Sequence, residues 1–300
     1  MDNELLLFDR IEAIKLTNQK YDLEHNAYLS FSGGKDSTVL HYLLDMALPN
    51  NKIPRIYSNT GIEYSKIKDF VEELSKNDSR IIILKPSLPI KQTLEKYGYP
   101  FKSKLHSYLV EKYQRLGRTE GVINYLGEGN KSTFTKCPIK LKYQFTSQFK
   151  IKISDMCCKK MKEEPMINWS KLNNKEIAIT GIMHDEGGRR TKSNCLGLLK
   201  GKLKFFNPLI KINKEWEDWF IKEYHLKICE LYNNPYNFER TGCKGCPFAL
   251  NLQNELDTLE KYFPNERKQC EIIWKPVYEE YRRLNYRLKN IKQLNLLEDI

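Results

Sequence analysis

Three hundred residues carry 50 Lys and Arg against 38 Asp and Glu, a formal charge of +12, with 40% apolar side chains. That length and apolar content suffice for a buried core and exclude a disordered or collagen-like chain. A basic balance favours anionic partners such as nucleotides, nucleic acid or acidic membrane, although the lysines are spread along the sequence and form no dense block.

The opening MDNELLLFDR has an apolar run too short for a signal peptide or membrane anchor, and no later window supplies an uncharged spanning stretch. A cytoplasmic protein is expected. Its eight cysteines then serve as reduced thiols, metal ligands or catalytic groups rather than disulfides.

In chain order, residues 5–22 (LLLFDRIEAIKLTNQKYD) read as an amphipathic helix. AYLSFS, 27–32, lacks polar alternation and reads as a buried strand of a parallel sheet. A helix follows from Asp36 to about Met46. IPRIYSN (53–59) is a second strand, EYSKIKDFVEELSKN (63–77) a second helix, and RIIILKP (80–86) a third strand stopped by Pro86. Residues 98–150 show no strand pattern and read as a helical insertion. EIAITGI (176–182) is a fourth strand and KEWEDWFIKEYHL (214–226) a late helix. Past Pro235 comes a turn-rich stretch, FERTGCKGCPFAL, then charged-aromatic helices from about Glu255. Strands alternating with helices predict a doubly wound, parallel α/β sheet. The expected division is a nucleotide-binding domain at 1–235, holding the insertion, and a CxxC segment with a helical cap at 236–300.

The first strand runs into Ser32-Gly33-Gly34-Lys35-Asp36-Ser37-Thr38 and then a helix. Glycines permit positive φ and close backbone approach. A helix N-terminus presents free N–H groups and a dipole that favours an anion. Lys35 adds charge, and Ser32, Ser37 and Thr38 add hydroxyl donors. Together they predict a phosphate or pyrophosphate cradle. The spacing is neither the Walker pattern nor GxGxxG.

This string resembles the pyrophosphate loop of the adenine-nucleotide α-hydrolase-like superfamily, and later segments resemble its phosphoadenosine phosphosulfate (PAPS) reductase branch. YSNTGIEY stands where that branch carries D-T-G near the nucleoside, so Asn59, Thr60 and Gly61 are implied nucleotide contacts, with Asn59 replacing the usual aspartate. TGIMHDEGGRR resembles the G-x-R-x-x-E-S-x-x-R segment. Glu186, Arg189 and Arg190 match it, and the arginines are implied to face phosphate or sulfate. FNPLIKINKEWEDWFIKEYHL and then NNPYNFERTGCKGC resemble the branch's P-L, Trp-bearing helix, N-P-x-Y and G-C-x-x-C. The resemblance implies a Rossmann-like fold, with Lys35, Asp36, Arg189 and Arg190 as the catalytic set.

Cys157 and Cys158 are adjacent, and Cys243 and Cys246 form a C-x-x-C. Four thiolates suit either zinc or an iron-sulfur centre. The CC…CxxC order resembles members that reduce adenosine phosphosulfate (APS), which implies a [4Fe–4S] cluster, zinc being the alternative. Cys137 reads as a core thiol with a sulfur-handling nucleophile as the sharper alternative. Reductases of this family use a cysteine in a C-terminal tail; here no cysteine follows Cys270, which weighs against an ordinary reductase. The stretch WKPVYEEYRRLNYRLKNIK is read as a helix packing its aromatic face, with nucleic-acid stacking as the alternative.

The expectation is an enzyme that binds ATP or APS/PAPS and acts in sulfur transfer or nucleotide activation, foremost an iron-sulfur ATP pyrophosphatase using Mg²⁺. The alternatives are a reductase with a displaced catalytic cysteine and a non-catalytic subunit of a nucleic-acid modification or defence assembly. Candidate acceptors are DNA, tRNA or a sulfur-carrying protein. Relatives that modify DNA with phosphorothioate are similar in combining this loop with cysteine-held iron-sulfur centres.

Overall fold

A computed structural model describes residues 2–130, 135–184 and 193–290. Helix α1 (Asn3–Tyr21) starts where the Asp2 carboxylate accepts from the Glu4 N–H at 3.2 Å. It is followed by α2 (Leu23–Asn26), β1 (Ala27–Ser30), α3 (Lys35–Ala47), β2 (Arg55–Ser58), α4 (Ser65–Asn77) and β3 (Ile81–Leu84). Helices α5 (Ile90–Tyr97), α6 (Lys104–Leu116), α7 (Glu120–Leu126) and α8 (Met156–Cys158) come next. A wide turn at Lys159–Glu163 joins α8 to α9 (Glu164–Leu172). The chain continues through β4 (Ile177–Ile179), β5 (Leu196–Leu199), β6 (Lys202–Phe206) and α10 (Lys214–Glu223). It closes with α11 (Leu252–Tyr262), α12 (Pro264–Ile273) and α13 (Lys275–Arg283). Pro264 and Pro276 fall in the first turns of the last two, so the expected long helices are cut into short ones. No helix among the described residues is long and apolar enough to cross a membrane.

The chain divides into two compact units. The first comprises Met1–Asn59, Glu63–Pro86 and Glu164–Gly242. Its six-stranded sheet has the order β3-β2-β1-β4-β6-β5, parallel except for the β5 edge. Side chains alternate across a strand. Tyr28, Ile56 and Ala178 therefore share one face, where Met166 and Trp169 of α9 cover them. Arg55, next to Ile56, points the other way and donates to His41 of α3 at 3.2 Å. Helices thus lie on both faces, and the fold is the doubly wound α/β type. The β5–β6 hairpin has no counterpart among the expected strands. Its turn uses Lys200 and Gly201, both at positive φ, as a two-residue hairpin requires.

At the amino ends of the strands Arg55 is fully buried, and Asp45 of α3 accepts from its guanidinium at 2.8 Å. Arg80 also donates to Asp45, at 2.7 Å, and to Asp78 at 2.7 Å. Asn51 completes the set with a 2.8 Å bond to Asp45. Every buried charge here has a partner.

The second unit comprises Thr60–Ile62, Ser87–Glu163 and Cys243–Ile300 and is helical. His106 sits in its core, hydrogen-bonded to Tyr125 at 3.0 Å and Gln144 at 2.7 Å. Burial lowers its pKa to about 4, so it is a neutral structural histidine.

Candidate functional site

The loop between β1 and α3 lies at the carboxyl ends of the parallel strands, where open α/β sheets place ligands. Gly33 has φ +70, and a Cβ there would stand 2.6 Å from Val71 Cγ2 of α4. Only glycine fits both constraints. Gly34 caps α3 without a side chain. A Cβ on it would meet Ser32 Oγ at 3.1 Å, Tyr232 OH at 3.3 Å and Thr241 Oγ1 at 3.5 Å. The helix start is thus ringed by hydroxyls. Tyr232 and Thr241 are bonded to each other at 2.5 Å, and the phenol oxygen also accepts from the Lys35 backbone N–H.

The other two loop hydroxyls are used differently from expectation. Ser37 Oγ accepts from the Ser32 N–H at 3.1 Å and donates to the Gly34 carbonyl at 3.0 Å. Thr38 Oγ1 donates to the same carbonyl at 2.9 Å. Both side chains are buried and hold the loop's shape. Ser32 is the exposed one.

Beside the loop opens a cleft of about 360 Å³, lined by Lys35, Asp36, Met183, Glu217, Asp218 and Tyr232 among others. Lys35 reaches Asp218 at 2.9 Å and Glu217 at 3.3 Å. Burial works against the Lys35 ammonium, but the two carboxylates outweigh it and its pKa is raised. Glu217 is 1% exposed, and neither of its oxygens has a hydrogen-bond partner among the described residues. Burial, and then the charge of Asp36, pushes its carboxyl up to about 8. A Cβ on Gly181 would lie 3.0 Å from the Asp36 carbonyl, so the end of β4 rests against the start of α3. The segment expected to face phosphate therefore begins at the loop. Glu186, Arg189 and Arg190 lie outside the described residues.

Sequence reasoning missed Glu217, Asp218, Tyr232 and Thr241. A signal for Glu217 existed: it falls among Trp216 and Phe220, the buried residues of α10, where a carboxylate is out of place.

Of the expected nucleoside contacts, Asn59 donates its N–H to Leu84 at 2.8 Å and prolongs the β2–β3 pairing. Thr60 and Gly61 fall in the second unit. There the Ile62 carbonyl accepts the Lys244 N–H at 2.8 Å, which sets this stretch beside the CxxC turn.

All four expected ligand cysteines belong to the second unit. Cys157 and Cys158 share a hydrogen bond that raises the first thiol and, with Lys104 and Lys162 helping, lowers the second to about 6. Cys157 also feels Cys246 and Cys243, so the four sulfurs lie within range of each other's charge. Among the described residues no three His, Cys, Asp or Glu side chains stand in a metal-holding arrangement. The donor set is soft thiolate throughout and suits zinc or an iron-sulfur cluster alike.

The CxxC turn is held from α12 and α13. Trp274 Nε1 donates to the Lys244 carbonyl at 3.2 Å, Tyr278 OH to Gly245, and Tyr281 OH to Pro247 at 2.8 Å. These buried aromatics are the C-terminal stripe seen in the sequence, and their work is packing and carbonyl satisfaction. Cys137, Cys229 and Cys270 are buried, which pushes their thiols up to about 11, 11 and 12. Burial also raises the Cys195 thiol. None of the four has the depressed pKa of an activated nucleophile.

Residues 26–136 and 135–249 match the family model described as the phosphoadenosine phosphosulfate reductase domain. An uncharacterised protein of Methanocaldococcus jannaschii is 32% identical over 230 residues. That match covers 75% of this chain, and the chain spans 42% of that relative's length. Among solved structures, a PAPS reductase from Candida auris is 15% identical with a TM-score of 0.40, covering 69% of this chain and 76% of that one. A U34-tRNA thiolase from Methanococcus maripaludis, solved with its [4Fe–4S] cluster, is 18% identical with a TM-score of 0.39, covering 95% of this chain and 80% of that one.

Proposed function

The chain belongs to the phosphoadenosine phosphosulfate reductase domain family, and from that premise we propose that it binds ATP and activates an acceptor by adenylyl transfer in sulfur chemistry. The supporting observation is the glycine-bent loop with Lys35 at its end, opening into the cleft. In the reaction an acceptor oxygen attacks the α-phosphorus. The α–β bridging P–O bond breaks, and its electron pair leaves on pyrophosphate. The loop amides, Ser32 and Lys35 hold that leaving charge, and catalysis is positioning plus electrostatics. Asp36 on the cleft wall is the carboxylate to hold Mg²⁺. Asn59, Thr60 and Gly61 take the nucleoside, while Glu186, Arg189 and Arg190 take the remaining phosphate. Cys157, Cys158, Cys243 and Cys246 would hold a [4Fe–4S] cluster, with zinc as the alternative. A bound cluster would supply a structural clamp or a sulfur-holding iron. Nucleic acid is the acceptor class favoured here, since residues 87–163 of the thiol-bearing unit carry 16 Lys and Arg against 6 Asp and Glu, which suits a polyanion.

The test is anaerobic purification with iron and sulfide analysis, then product analysis. The reading expects pyrophosphate from ATP, and AMP once water or a sulfur nucleophile displaces it from the adenylylated acceptor, with Lys35→Ala slower by about 10²-fold. Thiol-dependent sulfite from APS or PAPS would instead make the protein a reductase. Nucleotide binding without either product would make it an accessory subunit.

A further inference from the structure

The net positive charge is uneven along the chain. Residues 87–163 contain 16 Lys and Arg against 6 Asp and Glu. The whole chain's excess is 50 against 38, so this quarter of the sequence carries +10 of the +12. All of it belongs to the second unit, the one with the thiols. The remainder of the chain is almost neutral.

Part of this charge gathers around the Cys157–Cys158 turn. Helix α5 packs against α8 and the turn that follows it. Lys96 Nζ lies 5.4 Å and Lys160 Nζ 4.8 Å from the ring centre of Tyr97 at the end of α5. Lys152 reaches the same place, donating to the Lys96 carbonyl at 2.5 Å. Lys104 and Lys162 act electrostatically on Cys158. Lys96, Lys104 and Lys152 are exposed. The cations come from four separate stretches and outnumber the acid paired among them, Glu163, which stands 3.9 Å from Lys104 with both side chains exposed. A single phosphate would call for a pocket, whereas a face of separated ammoniums suits phosphates repeated along a polymer. The Lys96 and Lys160 ammoniums lie over the Tyr97 ring, and phosphates that draw them outward would free it for a base to stack on.

We propose that this lysine face, centred on Tyr97 with Lys96, Lys104, Lys152 and Lys160, is the docking surface for a nucleic-acid strand. The phosphodiester backbone lies on the lysines and a base lies on Tyr97. The surface borders the turn that carries Cys157 and Cys158. The proposal rests on the adenylyl-transfer reading only for the choice of nucleic acid as acceptor, and its test does not use ATP turnover.

The test is fluorescence anisotropy of the full chain with labelled 20-nucleotide single-stranded RNA and DNA, from about 50 to 200 mM salt, the range over which phosphate contacts show. Anionic phospholipid vesicles serve as the control polyanion. Wild type is expected to bind at least one strand with log affinity falling linearly in log salt. The triple variant K96E/K152E/K160E should bind at least about tenfold more weakly, with the slope shallower by about 2, since each phosphate contact on a single strand contributes about 0.7. Tyr97→Ala should weaken binding severalfold without changing the slope. ATP affinity and melting temperature should stay at wild-type values in all variants. The neutral variant K96Q/K152Q gives the same direction should the triple variant fold poorly. Tighter binding to RNA or to DNA names the strand. Failure of wild type to bind either strand, equal slopes for wild type and the triple variant, or vesicles bound in preference to strands would each overturn the proposal. If ATP fails to bind while strands do, the adenylyl-transfer reading falls and the surface stands.

Discussion

The two ends of the parallel sheet bury charge in opposite ways. At the amino end Asp45 has two guanidiniums and Asn51 within 2.9 Å, and each guanidinium nitrogen of Arg55 has an acceptor. At the carboxyl end Glu217 is buried more deeply than Asp45 and, among the described residues, has only the Lys35 ammonium, at 3.3 Å. A saturated network fixes a structure, because each member already has its best partner. An unsaturated one stores a cost that an incoming group can relieve, so it marks a place of function.

Removing a partner at the saturated end should have the largest effect on folding. Asp45→Ala leaves the Arg55 guanidinium buried with its charge uncompensated and should cost about 3–5 kcal/mol in urea unfolding. Nucleotide affinity, measured on the folded fraction, should not change. Gly33→Ala should come next, at about 1–3 kcal/mol from positive φ and the clash with Val71, and it should also abolish nucleotide binding.

The ends should also differ in sign against pH. Asp78 is held down to about 2 by Arg80 in spite of its burial. A depressed carboxyl contributes stability above its unfolded pKa, and that stability is lost as pH falls through about 4 to 2. The loss should be on the order of 1–2 kcal/mol, and Asp78→Asn should remove it. Glu217 is raised to about 8, so its contribution is complete below the ordinary glutamate range and is lost as pH rises through about 8. Chemical denaturation in EDTA should therefore show stability falling from the ordinary glutamate range up to about pH 8, a slope that Glu217→Gln flattens. A protein whose slope over that window is unchanged by Glu217→Gln has no special charge at this end. The smallest effect is expected from Ser37→Ala, about 1 kcal/mol for three lost loop hydrogen bonds, with nucleotide affinity down severalfold because the loop loosens.

What could be read from the sequence follows from how far apart the interacting residues are. Strands β1 to β4 and helices α3 and α4 were legible, because consecutive apolar residues and glycines carry their own local signal, whereas α5 and α9 were not read. The loop from Ser32 to Thr38 was legible for the same reason. The hairpin of β5 and β6 was not, since LGLL is an exposed edge without alternation and its Lys-Gly turn is a weak marker. Tyr232 and Thr241 lie some 200 residues beyond the glycine they surround, and no local pattern announces a long-range hydroxyl ring. The cysteines were legible as two pairs. Their carbonyl supports, Trp274, Tyr278 and Tyr281, looked like an ordinary helical stripe until the fold showed what the polar tips touch. The excess charge of residues 87–163 stands in the sequence as a shortage of acids rather than a dense basic run, and the fold adds that this stretch shares a unit with the thiols.

The claim beneath all of this is that the carboxyl end of the sheet grips the phosphates of an adenine nucleotide. Isothermal titration of the anaerobically purified chain with ATP and Mg²⁺, beside Lys35→Ala, tests it most directly. The account predicts one site per chain in wild type and at least about tenfold weaker binding in the variant, in line with the loss of a charge-assisted contact. Binding of equal strength in both proteins, or no heat from wild type with ATP, APS or PAPS, would contradict it.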